Sequence, residues 1–310
     1  MRSEDRSAAT WRGPTLRQSL REYGRGVAGG LLFSLPLLYT MEFWHEGATA
    51  EPLRLLVGIA GAFVLLLGYN RHAGLHCDAR PSEVLIDSVE EFGLGLLLAG
   101  GLLWLLGCID GDTRLPELVG KVVIEGLAVA IGVSVGTAQL GGGDDEGDES
   151  DEGDARKTDE QQADEARQAR QQRPRWLLGQ LTLATCGAVL IASNIAPTDE
   201  VAEVARSVSP VQLLGLTGAT LLIGALVLYA SDFRGASEHV RHRGRVDVLF
   251  GTVATYLVSI GASAALLWFF GRFDGCGPAY CLAQTIVLGL PAAIGASAGR
   301  LLLQPQQQDG

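Results

Sequence analysis

Apolar residues in this chain do not alternate with polar ones. They gather into eight long runs, at roughly 26–44, 53–70, 84–109, 117–139, 176–196, 210–230, 246–271 and 279–303. Runs of roughly 18–25 residues suit an α-helix crossing about 30 Å of hydrocarbon at 1.5 Å per residue. They are too long and too continuous for the ten-residue alternation of an outer-membrane barrel strand. The pattern predicts an all-α polytopic membrane protein with about eight transmembrane helices.

The runs divide into two sets of four. Residues 26–140 form a first transmembrane half and 176–303 a second, with polar segments at 1–25, 141–175 and 304–310. The halves resemble each other. Residues 102–136 (LLWLLGCIDGDTRLPELVGKVVIEGLAVAIGVSVG) align with 266–299 (LLWFFGRFDGCGPAYCLAQTIVLGLPAAIGASAG) with one single-residue gap. Trp104 then meets Trp268, Asp110 meets Asp274, and Gly126 meets Gly289. Gly132, Ser134 and Gly136 meet Gly295, Ser297 and Gly299. Upstream, Gly58-x-x-Gly61-Ala62 echoes Gly215-x-x-Gly218-Ala219, each after a proline. Matched elements lie four spans apart, an even number. The expectation is therefore two parallel four-helix repeats, related by an axis along the membrane normal.

Charge adds orientation. The chain carries a net −11, but residues 141–175 hold twelve acids and six bases, more than half of that excess. This low-complexity segment is nearly free of apolar residues and predicts a disordered cytoplasmic linker. With the N-terminus inside, 19 of the 24 Lys and Arg fall on the inner side. Both termini are thus expected in the cytoplasm, with the protein in the cytoplasmic (inner) membrane. No basic tract suits nucleic acid. The 41 glycines suit close helix packing and homo-oligomer formation in the bilayer.

Ionisable side chains inside apolar spans are costly and mark candidate sites. Glu125 is the deepest, about 12 Å along its helix from the outer end. Lys121 shares its face at i−4 and is its expected partner. The repeat places Leu288 and Gln284 at these positions, so the scaffold closes without the charges. Glu42 lies at the outer end of the first span. Asp87, Glu90 and Glu91 open the third, where they form an inner acidic ring or ride a solvated helix end. Together these residues outline an acidic path across the membrane.

Cys276 and Cys281, on the expected outer side, are candidates for a disulfide. His72/His76 and His239/His242 lack the companion ligands of a metal site. No nucleotide-binding loop, zinc-protease motif or nucleophile elbow appears. The sequence points to no enzyme and no cofactor.

The segments GGLLFSLPLLYTMEFW (29–44), IDSVEEFGLGLLLAG (86–100) and GKVVIEGLAVAIGVSVG (120–136) resemble an uncharacterised family of bacterial and archaeal integral membrane proteins that carries a domain-of-unknown-function label. The resemblance covers most of the chain. It implies a multi-span membrane protein and transfers no binding or catalytic residue. The residues themselves favour an ion channel or secondary transporter for protons or small cations. The alternative is a non-transporting scaffold or sensor acting through its linker.

Overall fold

The computed structural model describes residues 16–73, 80–139, 178–235 and 245–302. The linker 141–175, the first fifteen residues and the C-terminal tail lie outside these ranges, as do Cys77, His76, His239 and His242. The described residues form ten helices. They are α1 (Leu16–Leu38), α2 (Met41–Thr49), α3 (Pro52–Ala73), α4 (Pro81–Leu105) and α5 (Leu115–Gln139), then α6 (Leu178–Ala192). After these come α7 (Asp199–Ser207), α8 (Pro210–Gly235), α9 (Arg245–Phe269) and α10 (Pro278–Leu302). No strand occurs among the described residues.

Six of these helices are long and apolar enough to cross a membrane: α3, α4, α5, α8, α9 and α10. The first predicted run, 26–44, is not one helix. Pro36 sits in the last turn of α1. The hydroxyl of Thr40 bonds the Pro36 carbonyl at 2.8 Å, and its N–H bonds Leu37 O at 2.8 Å. The chain then restarts as the short α2. The run at 176–196 likewise yields a 15-residue helix followed by turns before α7.

Local chemistry sets the remaining ends. Arg80 caps α4, with Pro81 at its first turn and the Glu83 carboxylate accepting the Arg80 N–H at 3.0 Å. The far ends of α4 and α9 close alike. Gly107 and Gly271 take positive φ, 72° and 70°. Cys108 N–H reaches back to Leu103 O, and Arg272 N–H to Leu267 O. This is the glycine-terminated closure that satisfies orphan carbonyls.

Two helices are central. In α5, 72% of the apolar window is buried and in α10 56%, against 11–28% in the other four. The low figures mark faces turned to lipid. Helices α1 to α4 pack on α5. Gly29 of α1 lies against Gly132 and Gly136, Gly47 of α2 against Gly120, and Leu96 of α4 against Gly126. Helices α7, α8 and α9 pack on α10, and α6 joins them through Gly187 against Gly295 and Gly299. Ile260 of α9 meets Gly289.

An apolar core including Leu37, Phe43, Ile124, Ala188, Leu267, Phe270, Leu288 and Ala292 ties the two sets together. The rings of Phe43 and Phe270 lie 5.5 Å apart. Thr182 of α6 packs on Gly68 of α3. At one end of the molecule, Arg54 pairs with Asp274 at 2.6 Å. There Arg272 also joins Asp199 of α7 at 2.8 Å and Glu46 of α2 at 3.8 Å.

Candidate functional site

Helix α5 carries the most deeply placed charges because it is enclosed on nearly every face. Its residues 120–136 are buried almost without interruption. Small side chains at 126, 128, 130, 132, 134 and 136 let the neighbours close in. Glu125 is 0% exposed, and neither carboxyl oxygen has a hydrogen-bond partner. It shares a stripe with Lys121, which packs on Gly47 of α2, and with Val129 and Gly132, which pack on α1. This is the face of α5 on which α1 and α2 pack.

The expected Lys121–Glu125 pair does not form. Lys121 turns the other way along the helix. Its ammonium meets Glu117 at 2.6 Å, donates to the Cys108 carbonyl at 3.0 Å and lies 5.2 Å from the Trp44 ring centre. A long cationic side chain near a membrane face extends toward the polar side. The Glu117 carboxylate, 37% exposed, draws it there. Glu117 and Trp44 were absent from the residues singled out by sequence. The i, i+4 spacing of Glu117 and Lys121 was the available signal.

At the other end of α5 the acids separate in role. Glu91 accepts the Asn70 amide at 2.7 Å. That amide also reaches Ser88 at 3.1 Å, and the Ser134 hydroxyl donates to Asn70 Oδ1 at 2.8 Å. This cluster joins α3, α4 and α5, about 13 Å along α5 from Glu125 at 1.5 Å per residue. Glu90, one position away, faces α1 and accepts the Tyr23 hydroxyl at 3.2 Å. Asp87 is partly exposed and Glu42 is exposed on the first turn of α2. Asn70, Ser88 and Ser134 were missed by sequence reasoning. Only the asparagine at the end of an apolar run hinted at them.

Cys276 and Cys281, the candidates for a disulfide, are free thiols. Each turns to a backbone carbonyl instead: Cys276 to Arg272 O at 3.5 Å and Cys281 to Cys276 O at 3.9 Å. Among the described residues, no group of three or more His, Cys, Asp or Glu is placed to hold a metal ion.

An isolated buried carboxyl is poorly accommodated in either form. As a carboxylate it lacks a counter-charge, and as an acid its O–H lacks an acceptor. Such a group inside a transmembrane bundle is by default a candidate functional site. The family model described as "Putative integral membrane protein (DUF2391)" matches residues 22–303. The chain belongs to this family. The match runs from α1 to the end of α10, so both central helices belong to the DUF2391 region. Neither a curated protein nor a solved structure matches this DUF2391 member.

Proposed function

We propose that this DUF2391 protein is a channel or secondary transporter that moves protons or small cations along a path centred on Glu125. The observation that carries this is the fully buried carboxyl with two unpartnered oxygens on the most enclosed helix of a membrane bundle. Glu91, held by Asn70 at 2.7 Å, is the station at one end of that helix, with Glu90 and Asp87 beside it. Glu42 lies toward the opposite end and gathers cations at the mouth. Small cations or protons are then the ligands and the lipid bilayer is the surrounding solvent.

The eight-crossing, duplicated architecture is part of the same proposal. Pairs of contacts support it. Gly29 meets Gly136 as Gly187 meets Gly299, and Leu96 meets Gly126 as Ile260 meets Gly289. Lys121 bonds the carbonyl of residue 108 as Gln284 bonds that of residue 272. In each half a nine-residue helix follows the first helix, α1 or α6. On this reading α1 and α6 complete eight crossings, both termini are cytoplasmic and the repeats run parallel. Gly61, Gly215 and Gly218, with open space above them, supply faces for a homo-oligomer.

The test is flux in proteoliposomes of purified, oriented protein, screened with K⁺, Na⁺, Ca²⁺, Cl⁻ and H⁺. The expected result is cation or proton flux that Glu125→Gln abolishes. Flux equal in both proteins removes Glu125 from the path. No flux in folded wild-type protein transfers the function to the scaffold reading, and deletion of 141–173 becomes the next variant.

A further inference from the structure

Glu117, Lys121 and Glu125 stand four residues apart on one stripe of α5, with the lysine in the middle. Its ammonium is engaged with Glu117 at 2.6 Å and the Cys108 carbonyl at 3.0 Å, and Lys121 is only 5% exposed. One turn deeper, both oxygens of Glu125 are unpartnered. A second, independent observation ties the three charges together. Their counterparts in α10 are Tyr280, Gln284 and Leu288, so all three charges are missing at once. The neutral Gln284 still donates to the Arg272 carbonyl at 3.4 Å, just beyond the positive-φ Gly271, as Lys121 donates to the Cys108 carbonyl just beyond Gly107. The backbone link at this position needs no charge. Charge at 121 accompanies charge at 125.

We propose that Lys121 is a tethered counter-ion that alternates between Glu117 and Glu125, replacing the transported proton or cation whenever Glu125 is empty. The inference rests on the transport function assigned above, and it commits that function to a carrier. With substrate on Glu125 the carboxyl is already compensated, and the ammonium stays with Glu117. When substrate leaves, the bare, fully buried carboxylate attracts the ammonium. Rotation of a flexible four-carbon stem carries the charge from the turn above to the turn below. Glu117, 37% exposed, is then satisfied by water. The empty site is thereby neutralised and can return across the membrane without cargo.

The test separates net flux from isotope exchange in proteoliposomes carrying wild type, Lys121→Gln, Lys121→Arg or Glu125→Gln. The glutamine variant copies a residue that already folds at the matching position of α10. Removing one partner of a buried pair is strongly unfavourable, so net flux in Lys121→Gln should fall more than about tenfold. Exchange, which never presents an empty site for return, should stay within about twofold of wild type. Lys121→Arg should retain both. Net flux and exchange unchanged in Lys121→Gln, or lost together, overturn the counter-ion. Absence of wild-type flux, or its persistence in Glu125→Gln, instead overturns the transport function and takes the inference with it.

Discussion

Glu125 is the residue on which stability and function pull apart. Leu288, the residue that aligns with it in the sequence, is equally buried at 0% exposure and sits in the shared apolar core. A leucine at 125 removes a carboxyl that costs on the order of 1–3 kcal/mol when buried without partners. Glu125→Leu should therefore raise the thermal unfolding temperature in detergent while eliminating flux. A lower unfolding temperature would mean that the carboxyl has a stabilising partner. The depth of Glu125 was legible because Val122, Val123, Ile124 and Leu127 surround it in the chain. The direction taken by Lys121 was not. Both acids stand four residues from Lys121, and the choice of Glu117 rests on its exposed end of the helix together with the Cys108 carbonyl and the Trp44 ring, which other segments bring.

Among the elements, the close glycine contacts divide into those that hold the bundle and those that face outward. A side chain on Gly136 runs into the Arg25 carbonyl and the backbone of Gly29, whereas one on Gly61 meets nothing within 4 Å. Gly136→Val should force α1 from α5 and cost about 1–3 kcal/mol or more, as overpacking does. Gly61→Ala should leave monomer stability within about 0.5 kcal/mol. Thermal unfolding of the two variants checks this, and equal effects would contradict the packing described here. The short helix α2 offers a pH test outside the spans. Burial holds the Glu46 carboxyl above its ordinary value, and the nearby charges of Arg272 and His45 offset this only in part. A raised folded-state value means that protonation favours the folded form. The contribution is full below the ordinary 4.5 and is lost as pH rises through the raised value. Glu46→Gln should flatten that part of the stability profile, and an unchanged slope would assign it to other groups. Helix α2 itself escaped the sequence reading because Met41, Phe43 and Trp44 continue the apolar run of α1. The break arises from Thr40 folding back on Pro36 and Leu37, a turn that hydropathy does not register.

For the whole molecule, the helix content and the six long spans followed from run length, which hydrocarbon thickness imposes directly. The central, buried position of α5 and α10 was less legible. Their apolar runs resemble those of α4 and α9, and only the stripe of glycine and alanine along them signals close neighbours on several sides. The Asn70–Glu91–Ser134 cluster was least legible, because it joins residues 64 positions apart through three helices. These features converge on one bundle with an uncompensated acid at its centre. The most direct measurement is the charge displaced when a proton or cation concentration jump is applied to protein adsorbed on a solid-supported membrane, wild type beside Glu125→Gln. A transient current is expected in wild type and should disappear in the variant. A current of equal size in Glu125→Gln, or none in folded wild-type protein, would contradict it.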